Sequence, residues 1–273
     1  MAGNQRVYKQ RIRSTQTLQK VFRAMELIAS SRIGAARRNA QEAGPYDHAL
    51  SQAVAAVGTY AHLDHPVTRE RTDTDRVAVL VVTSDRGMAG AYSATILRES
   101  ERLLDQLVED GKKPVVFTFG RRAAGYFTFR EREVERSWTG ESDRPSGESI
   151  DEVAIALLDY FLAPADAGGV AEVHIVFTRY VSMVSQVPEV RRMLPLTVVD
   201  VDGPGELNRE DIAAGTEHVR AQDTGAQPLY EFEPSPDAVL DALLTRYVSS
   251  RIRNALLQAA ASELASRQQA MHT

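Results

Sequence analysis

Two long stretches near the ends of the chain place hydrophobic residues at alternating spacings of three and four, and between them lie short runs of consecutive hydrophobic residues. From Gln5 to Ala43 there is no proline, and Gly34 is the only glycine; from Asp237 to Thr273 there is neither. Both stretches read as long helices. In the first, Leu18, Val21, Met25, Ile28, Arg32 and Ala35 follow the seam spacing of a coiled coil, which fades where Arg11, Ser14 and Asn39 fall in register. A second patch of small residues, Ala24, Ala29, Ala35 and Ala36, would let another helix approach closely. Gly44-Pro45 predicts a break, with the helix resuming through Ala49, Val54 and Val57. In the last stretch Leu243, Tyr247, Leu257, Ala261, Leu264 and Met271 fit the same spacing, interrupted by Ser250, Asn254 and Gln268. Polar seam residues lower stability and help to fix register and partner number. A helix packed on a globular core gives the same period, so periodicity alone leaves both arrangements open.

The middle has a different pattern. Val77–Thr83 (VAVLVVT) is a continuous β-branched run, the mark of a strand buried on both faces of a parallel sheet. Ala94 to Glu109 reads as an amphipathic helix ended by Asp110-Gly111, and Pro114–Phe119 as a second strand. Ala123 to Val134 is ambiguous, and Trp138 to Ser149 reads as a polar loop. Ile150 to Ala163 is a helix stopped by Pro164, Glu172–Thr178 is a third strand, and Ser182–Val187 begins a hairpin running to Met193–Val199. Alternating strands and helices predict a doubly wound, mostly parallel, Rossmann-like α/β core. The expected organisation is a discontinuous antiparallel coiled-coil shaft (1–62 and 230–273), an α/β domain (76–200) and a polar surface segment (201–229), with a short helix over Arg209–Val219.

Charge sharpens this picture. The chain of 273 residues carries a net charge of -5, yet residues 1–40 hold nine basic residues against Glu26 alone. A basic first helix on an acidic body implies an acidic partner. Few aromatics interleave with the basic residues, which argues against nucleic acid. A solvated basic face is the plainer reading. There is no cysteine, which excludes disulfides and thiolate chemistry. No apolar run approaches the roughly 18 residues that span a bilayer, and no secretory signal is evident, so a cytoplasmic protein is expected.

The best candidate for chemistry is the loop Ser84-Asp85-Arg86-Gly87-Met88-Ala89-Gly90-Ala91-Tyr92, which follows a strand and precedes a helix, where α/β sheets bind ligands. It contains neither G-x-x-x-x-G-K-[ST] nor G-x-G-x-x-G. A tight turn with close strand–helix packing explains its glycines better, so Ser84, Asp85, Arg86, Gly87 and Gly90 are read as a structural turn. His62 and His65 lack a carboxylate pattern for a metal site, and His174, within a strand, reads as a core histidine. Glu131 and Glu133 sit in a charged run that reads as a solvated edge or helix. Nothing in the sequence demands an enzyme, a cofactor or a metal.

Four blocks in order carry a resemblance: Arg11–Ile33 (RIRSTQTLQKVFRAMELIASSRI), Val81–Tyr92 (VVTSDRGMAGAY), Val173–Pro195 (VHIVFTRYVSMVSQVPEVRRMLP) and Tyr230–Met271 (YEFEPSPDAVLDALLTRYVSSRIRNALLQAAASELASRQQAM). Together they resemble the γ subunit family of F-type ATP synthases, the central-stalk rotor. The family's I-x-x-A-M-x-[ML]-[VI]-A-[AS]-S-[KR] run is met by Val21 to Arg32, its S-D-[RK]-G-[LM]-[CA]-G by the loop, and its last-helix motifs by Leu243–Val248 and Ala261–Met271. The resemblance implies a coiled-coil shaft inside a ring of α and β subunits, which carries the catalytic sites on β. It also implies an α/β domain against the ε subunit and the membrane c-ring. It implies a peripheral location on the cytoplasmic face of the cell membrane. Residue by residue it implies contact with β through Arg23, Met25, Glu26, Glu263 and Arg267, and with the c-ring through Tyr230, Phe232 (in place of a usual tyrosine) and Glu233. One departure is that the chain stops at Met271-His272-Thr273, before the family's A-T-D-N and further helix. A fragment is therefore expected, with residues 1 to roughly 20 frayed or packed elsewhere, because unpaired helix is marginal in water. Two other readings are an α/β phosphate-ligand enzyme using the 84–92 loop, and a basic coiled-coil adaptor for lipid or nucleic acid. The missing phosphate fingerprint argues against the first; the acidic body and the lack of a sustained heptad argue against the second.

Overall fold

The computed structural model describes residues 2–61, 69–195, 233 and 235–272. Helix α1 runs Ala2–Ala61 and α5 runs Pro236–His272. Between them lie β1 (Arg76–Val82), α2 (Tyr92–Glu109), β2 (Lys113–Phe119), α3 (Arg121–Phe129), β3 (Val134–Trp138), α4 (Gly147–Leu162), β4 (Glu172–Tyr180) and β5 (Gln186–Leu194). The expected helix over 209–219 and the polar 203–227 segment lie outside the described residues.

The strands form one sheet in the order β3-β2-β1-β4-β5. Pairings β1–β2, β1–β4 and β2–β3 are parallel, and β4–β5 is an antiparallel hairpin. Side chains alternate across a strand, so each strand feeds two cores. Val77, Val79 and Val81 face α2 and α3, where Ile96, Leu104, Ala123 and Phe127 meet them. Ala78, Leu80 and Val82, with Phe117, Phe119, Ile175 and Phe177, face α4, α5 and the end of α1. This is the doubly wound arrangement that the β-branched runs predict, with one difference. On the second face a helix of the shaft stands where a further crossover helix would normally lie.

The ambiguous stretch 123–134 resolves into helix α3 and the start of β3. β3 is an edge strand with exposed Glu135, Arg136 and Ser137, so polar side chains suffice on its outer positions. Helix α4 begins three residues before the predicted Ile150, because Ser146 caps it by accepting from the Ser149 N–H at 3.1 Å.

Two expectations about α1 are corrected. The helix does not break at Gly44-Pro45. Pro45 is exposed, so the Gln41 carbonyl it leaves without a donor can meet water, and flanking buried residues hold the helix on α5. The seam also runs in a different phase. Leu18 and Ile28 are 52% and 51% exposed, whereas Ala29 is 1% exposed, and Ile33, Ala40, Leu50, Val54 and Val57 are buried. Of the small-residue patch the interface uses Ala29 and Ala36, against Leu264 and Ala265 of α5, while Ala24 and Ala35 are exposed. The heptad is thus sustained from Ala29 to Val57. The tip of the β4–β5 hairpin reaches this seam through Tyr180 and Met183, and the Arg37 guanidinium lies 5.7 Å from the centre of the Tyr180 ring.

Candidate functional site

The 84–92 loop stands at the carboxyl edge of the sheet, beside the point where strand order reverses between β1 and β4. In open α/β sheets this crevice holds the ligand. Here Asp85 is spent on the protein itself. Its carboxylate accepts from the backbone N–H of Arg121 (3.1 Å), Gly140 (2.8 Å) and Ser142 (2.9 Å), while the Asp85 N–H donates to Ser142 Oγ at 2.8 Å. Burial pushes the carboxyl upward, but the donors of Ser142, Gly140 and Arg121 outweigh it and hold its pKa below the usual range. One side chain therefore ties together the loops after β1, β2 and β3. The packing is tight: a Cβ on Gly120, where φ is +106°, would stand 2.1 Å from the Thr83 carbonyl oxygen. Ser84 Oγ lies 2.7 Å from Ser93 Oγ. Arg86 lines an open groove of about 570 Å³ with Arg121 and Arg122, and Gly87 lets the Arg122 guanidinium lie across it.

The other side of the crevice is walled by α5, with a pocket of about 370 Å³ left between Gly90, Thr178, Gln186 and Ser266. The Tyr92 hydroxyl donates to the Ala259 carbonyl at 3.2 Å, and Ser262 Oγ donates to the Thr178 carbonyl at 3.1 Å. Gln258 Oε1 accepts from the Tyr180 N–H at 3.1 Å, and Ser266 Oγ lies 3.1 Å from Gln186 Oε1. Gly90 takes a left-handed backbone conformation (φ +56°) where the loop meets α5 at Ala270. Burial, then the nearby Glu263 charge, pushes the Tyr92 hydroxyl pKa well above its ordinary value, so it stays a neutral donor. The arrangement clamps a helix. The sequence signal for the contacts of Gln258, Ser262 and Ser266 is their place as small or polar residues on an otherwise alanine-rich helix.

The residues assigned to partner contacts fall into three groups. Arg23 is exposed on α1, and Met25 and Glu26 are half-buried, with Glu26 Oε1 lying 3.1 Å from His272 Nδ1. Glu263 and Arg267 are 1% and 5% exposed and face the interior, where Arg267 Nη2 donates to Glu263 Oε1 at 2.6 Å. Burial pushes the Glu263 carboxyl up to about 7 against the pull of Arg267 and Ser142. Next to Ser142, Asp143 takes an ion pair of 2.6 Å from Arg32 of α1, so the loop after β3 reaches both helices of the shaft. Glu233 is exposed just before α5, while Tyr230 and Phe232 lie outside the described residues. His174 is a core histidine: its Nε2 lies 2.7 Å from Glu172 Oε2. That contact first, with Lys112 and Arg192, overcomes burial to hold the Glu172 carboxyl at about 2.

A family model described as ATP synthase matches residues 4–273. The ATP synthase gamma chain of Beutenbergia cavernae is 59% identical over 275 residues, covering 100% of this chain and 86% of that protein. That of Bifidobacterium adolescentis is 48% identical over 273 residues, covering 99% of this chain and 86% of that protein. Among solved structures, the central stalk and c-ring of the Tetrahymena thermophila mitochondrial ATP synthase contains a chain that superposes with a TM-score of 0.62. It covers 92% of this chain and 98% of that one at 17% identity, which speaks to the fold. With relatives this similar along its whole length, and the same fold in a solved central stalk, the chain belongs to the ATP synthase γ-chain family.

Proposed function

We propose that this chain is the central-stalk rotor subunit of an F-type ATP synthase. In this reading it couples ion-driven rotation of the membrane ring to conformational change at catalytic sites on the β subunits. The observation that carries the proposal is the passage of α5 through the head. The same helix completes the core under the sheet and then pairs with α1, so shaft and head form one body. A body of that kind transmits torque through packing, and it needs no active site of its own. The Asp85 carboxylate, spent on three backbone donors, counts against a ligand-binding enzyme at the 84–92 loop.

The basic, exposed face of α1 is the surface for the α/β ring, and Arg23, Met25 and Glu26 are its proposed contacts with β. Glu263 and Arg267 would serve that contact from beneath, by holding the junction of α5 with the loop after β3. The c-ring would be met through Glu233 with Tyr230 and Phe232, and the ε subunit through the α/β domain. Among the described residues no helix is long and apolar enough to cross a membrane. The proposed location is peripheral, on the cytoplasmic face of the cell membrane.

The test is reconstitution with α, β and ε subunits. The chain should bind ε and support ATP-driven rotation of an α/β ring. Arg23→Ala should lower the torque several-fold without abolishing assembly. Unchanged torque would remove Arg23 from the contact, and failure to bind either partner with a folded head would sink the rotor reading.

A further inference from the structure

Two columns of α1 face α5, each repeating every seven residues. One contains Ala29, Ala36, Leu50 and Val57; the other contains Ile33, Ala40, Asp47 and Val54. Apolar contacts in such a repeat specify the register only weakly, since over Ala29–Val57 a slide of one heptad mostly exchanges one apolar residue for another. Asp47 is the exception. It is 5% exposed and has three donors on α5: Ser250 Oγ at 3.1 Å, Arg251 Nη1 at 3.3 Å and Asn254 Nδ2 at 3.1 Å.

The positions seven residues away on α5 offer nothing comparable. A slide in one direction would set the carboxylate against Leu243, Leu244 and Tyr247; a slide in the other would set it against Leu257, Gln258 and Ala261. Each slide would leave the carboxylate at most one neutral donor, the Tyr247 hydroxyl or the Gln258 amide, in place of three that include a guanidinium, so both slides are penalised. Arg251 is itself fixed to the head. Its guanidinium lies 5.7 Å from the centre of the Tyr247 ring, and it neighbours Arg191 and Glu189 of β5, which are paired to each other at 2.6 Å. The far end of the seam agrees: Glu26 meets His272, three heptads from Asp47 on one helix and three from Arg251 on the other.

We infer that Asp47 is the register key of the shaft: its contacts with Ser250, Arg251 and Asn254 select one axial alignment of α1 on α5 among those the apolar repeat allows. The key thereby sets the height above the head at which the basic face of α1 is presented. It stands on the geometry of the two helices, whatever the chain assembles with.

The chain has no cysteine, so engineered pairs report alignment without background. Ile33→Cys with Ala265→Cys reports the native register. Ile33→Cys with Gln258→Cys, and with His272→Cys, report the two one-heptad slides. Each pair is oxidised in the full chain carrying native Asp47, Asp47→Asn, or Asp47→Leu with Arg251→Met. Circular dichroism confirms that each chain is folded. Loss of a charge-assisted hydrogen-bond set should raise the ratio of slid to native product by about ten- to a hundredfold in the Leu/Met chain, and by less with Asp47→Asn. Native product alone in every folded chain would overturn the inference and assign the register to packing. Should the Leu/Met chain fail to fold, the Asp47→Asn result decides by itself.

Discussion

From Gln5 to Ala24 every residue of α1 is exposed, whereas from Ala259 to Ala265 every residue of α5 is buried. The two helices belong to one shaft, yet one is wet on all sides over five turns and the other dry on all sides over two. The buried stretch is not made of bulky residues; it is AAASELA. Alanine is the best helix former and lets neighbours approach on every face, so α5 can be gripped at once by α1, the sheet edge and the 84–92 loop. The exposed stretch is basic and carries larger apolar residues, among them Val7, Tyr8, Val21 and Phe22, that nothing among the described residues covers. Its helicity derives from continuity with the seam that begins near Ala29. Burial in this shaft thus follows what surrounds a helix, and side-chain size is a poor guide to it.

The sharpest way to break that contrast is within α5. Leu256→Ala, at a residue 1% exposed in the main core, should cost about 3 kcal/mol in urea unfolding. A loss under about 1 kcal/mol would mean that α5 is seated far more loosely than its burial implies.

Next comes the loop that seats α5. Asp85→Ala leaves the N–H groups of Arg121, Gly140 and Ser142 without their acceptor and should cost about 2 kcal/mol. Faster hydrogen exchange in the loops after β1, β2 and β3 together would distinguish it from a local defect.

Glu263 tests the electrostatics of the dry stretch. Its folded pKa of about 7 lies above the ordinary 4.5, so the native state holds the proton more tightly than the unfolded chain. The stability this contributes is fully present below pH 4.5 and is lost as pH rises through 7. Relative to Glu263→Gln, the native chain should therefore lose on the order of 2 kcal/mol across that window. A flat difference between the two melting curves would contradict the assigned burial.

The smallest effect belongs to α1. Leu18→Ala and Ile28→Ala should each change the stability of the isolated chain by less than about 0.5 kcal/mol, although both remove a large apolar side chain. A larger loss would show that this face is covered in solution.

The α/β middle was legible because Val77–Thr83, Pro114–Phe119 and Glu172–Thr178 are short runs dominated by β-branched and aromatic residues, which a doubly covered sheet accommodates. β3 was not, because its residues Glu135, Arg136 and Ser137 sit at a sheet edge, where neither face must be apolar. The phase of the α1 seam was missed for a related reason: Leu18, Val21 and Ile28 give a stronger apolar signal than Ala29, Ala36 and Ala40, which make the contact. The 84–92 loop was recognised as a turn, but its link to residues 120 and 140 is a relation across the sheet that no spacing within the loop encodes. Asp47, two residues after Pro45, reads as part of a break. Counting sevens from Ile33 and Ala40 would have placed it in the seam.

The core beneath the sheet has a consequence for how the chain is made. Phe117, Phe119, Ile175 and Phe177 are covered on one side by α4 and α5 together with the end of α1. During synthesis the strands emerge in turn, yet the helix that closes this face is the one made after them all. Until it arrives, the nascent head must hold a broad aromatic surface open, a state that favours aggregation and chaperone capture. Contacts between Leu50–Val57 and the first turns of α5 join segments nearly two hundred residues apart, and such distant closure is slow. Both Leu50–Val57 and the first turns of α5 must therefore be made before this core can close.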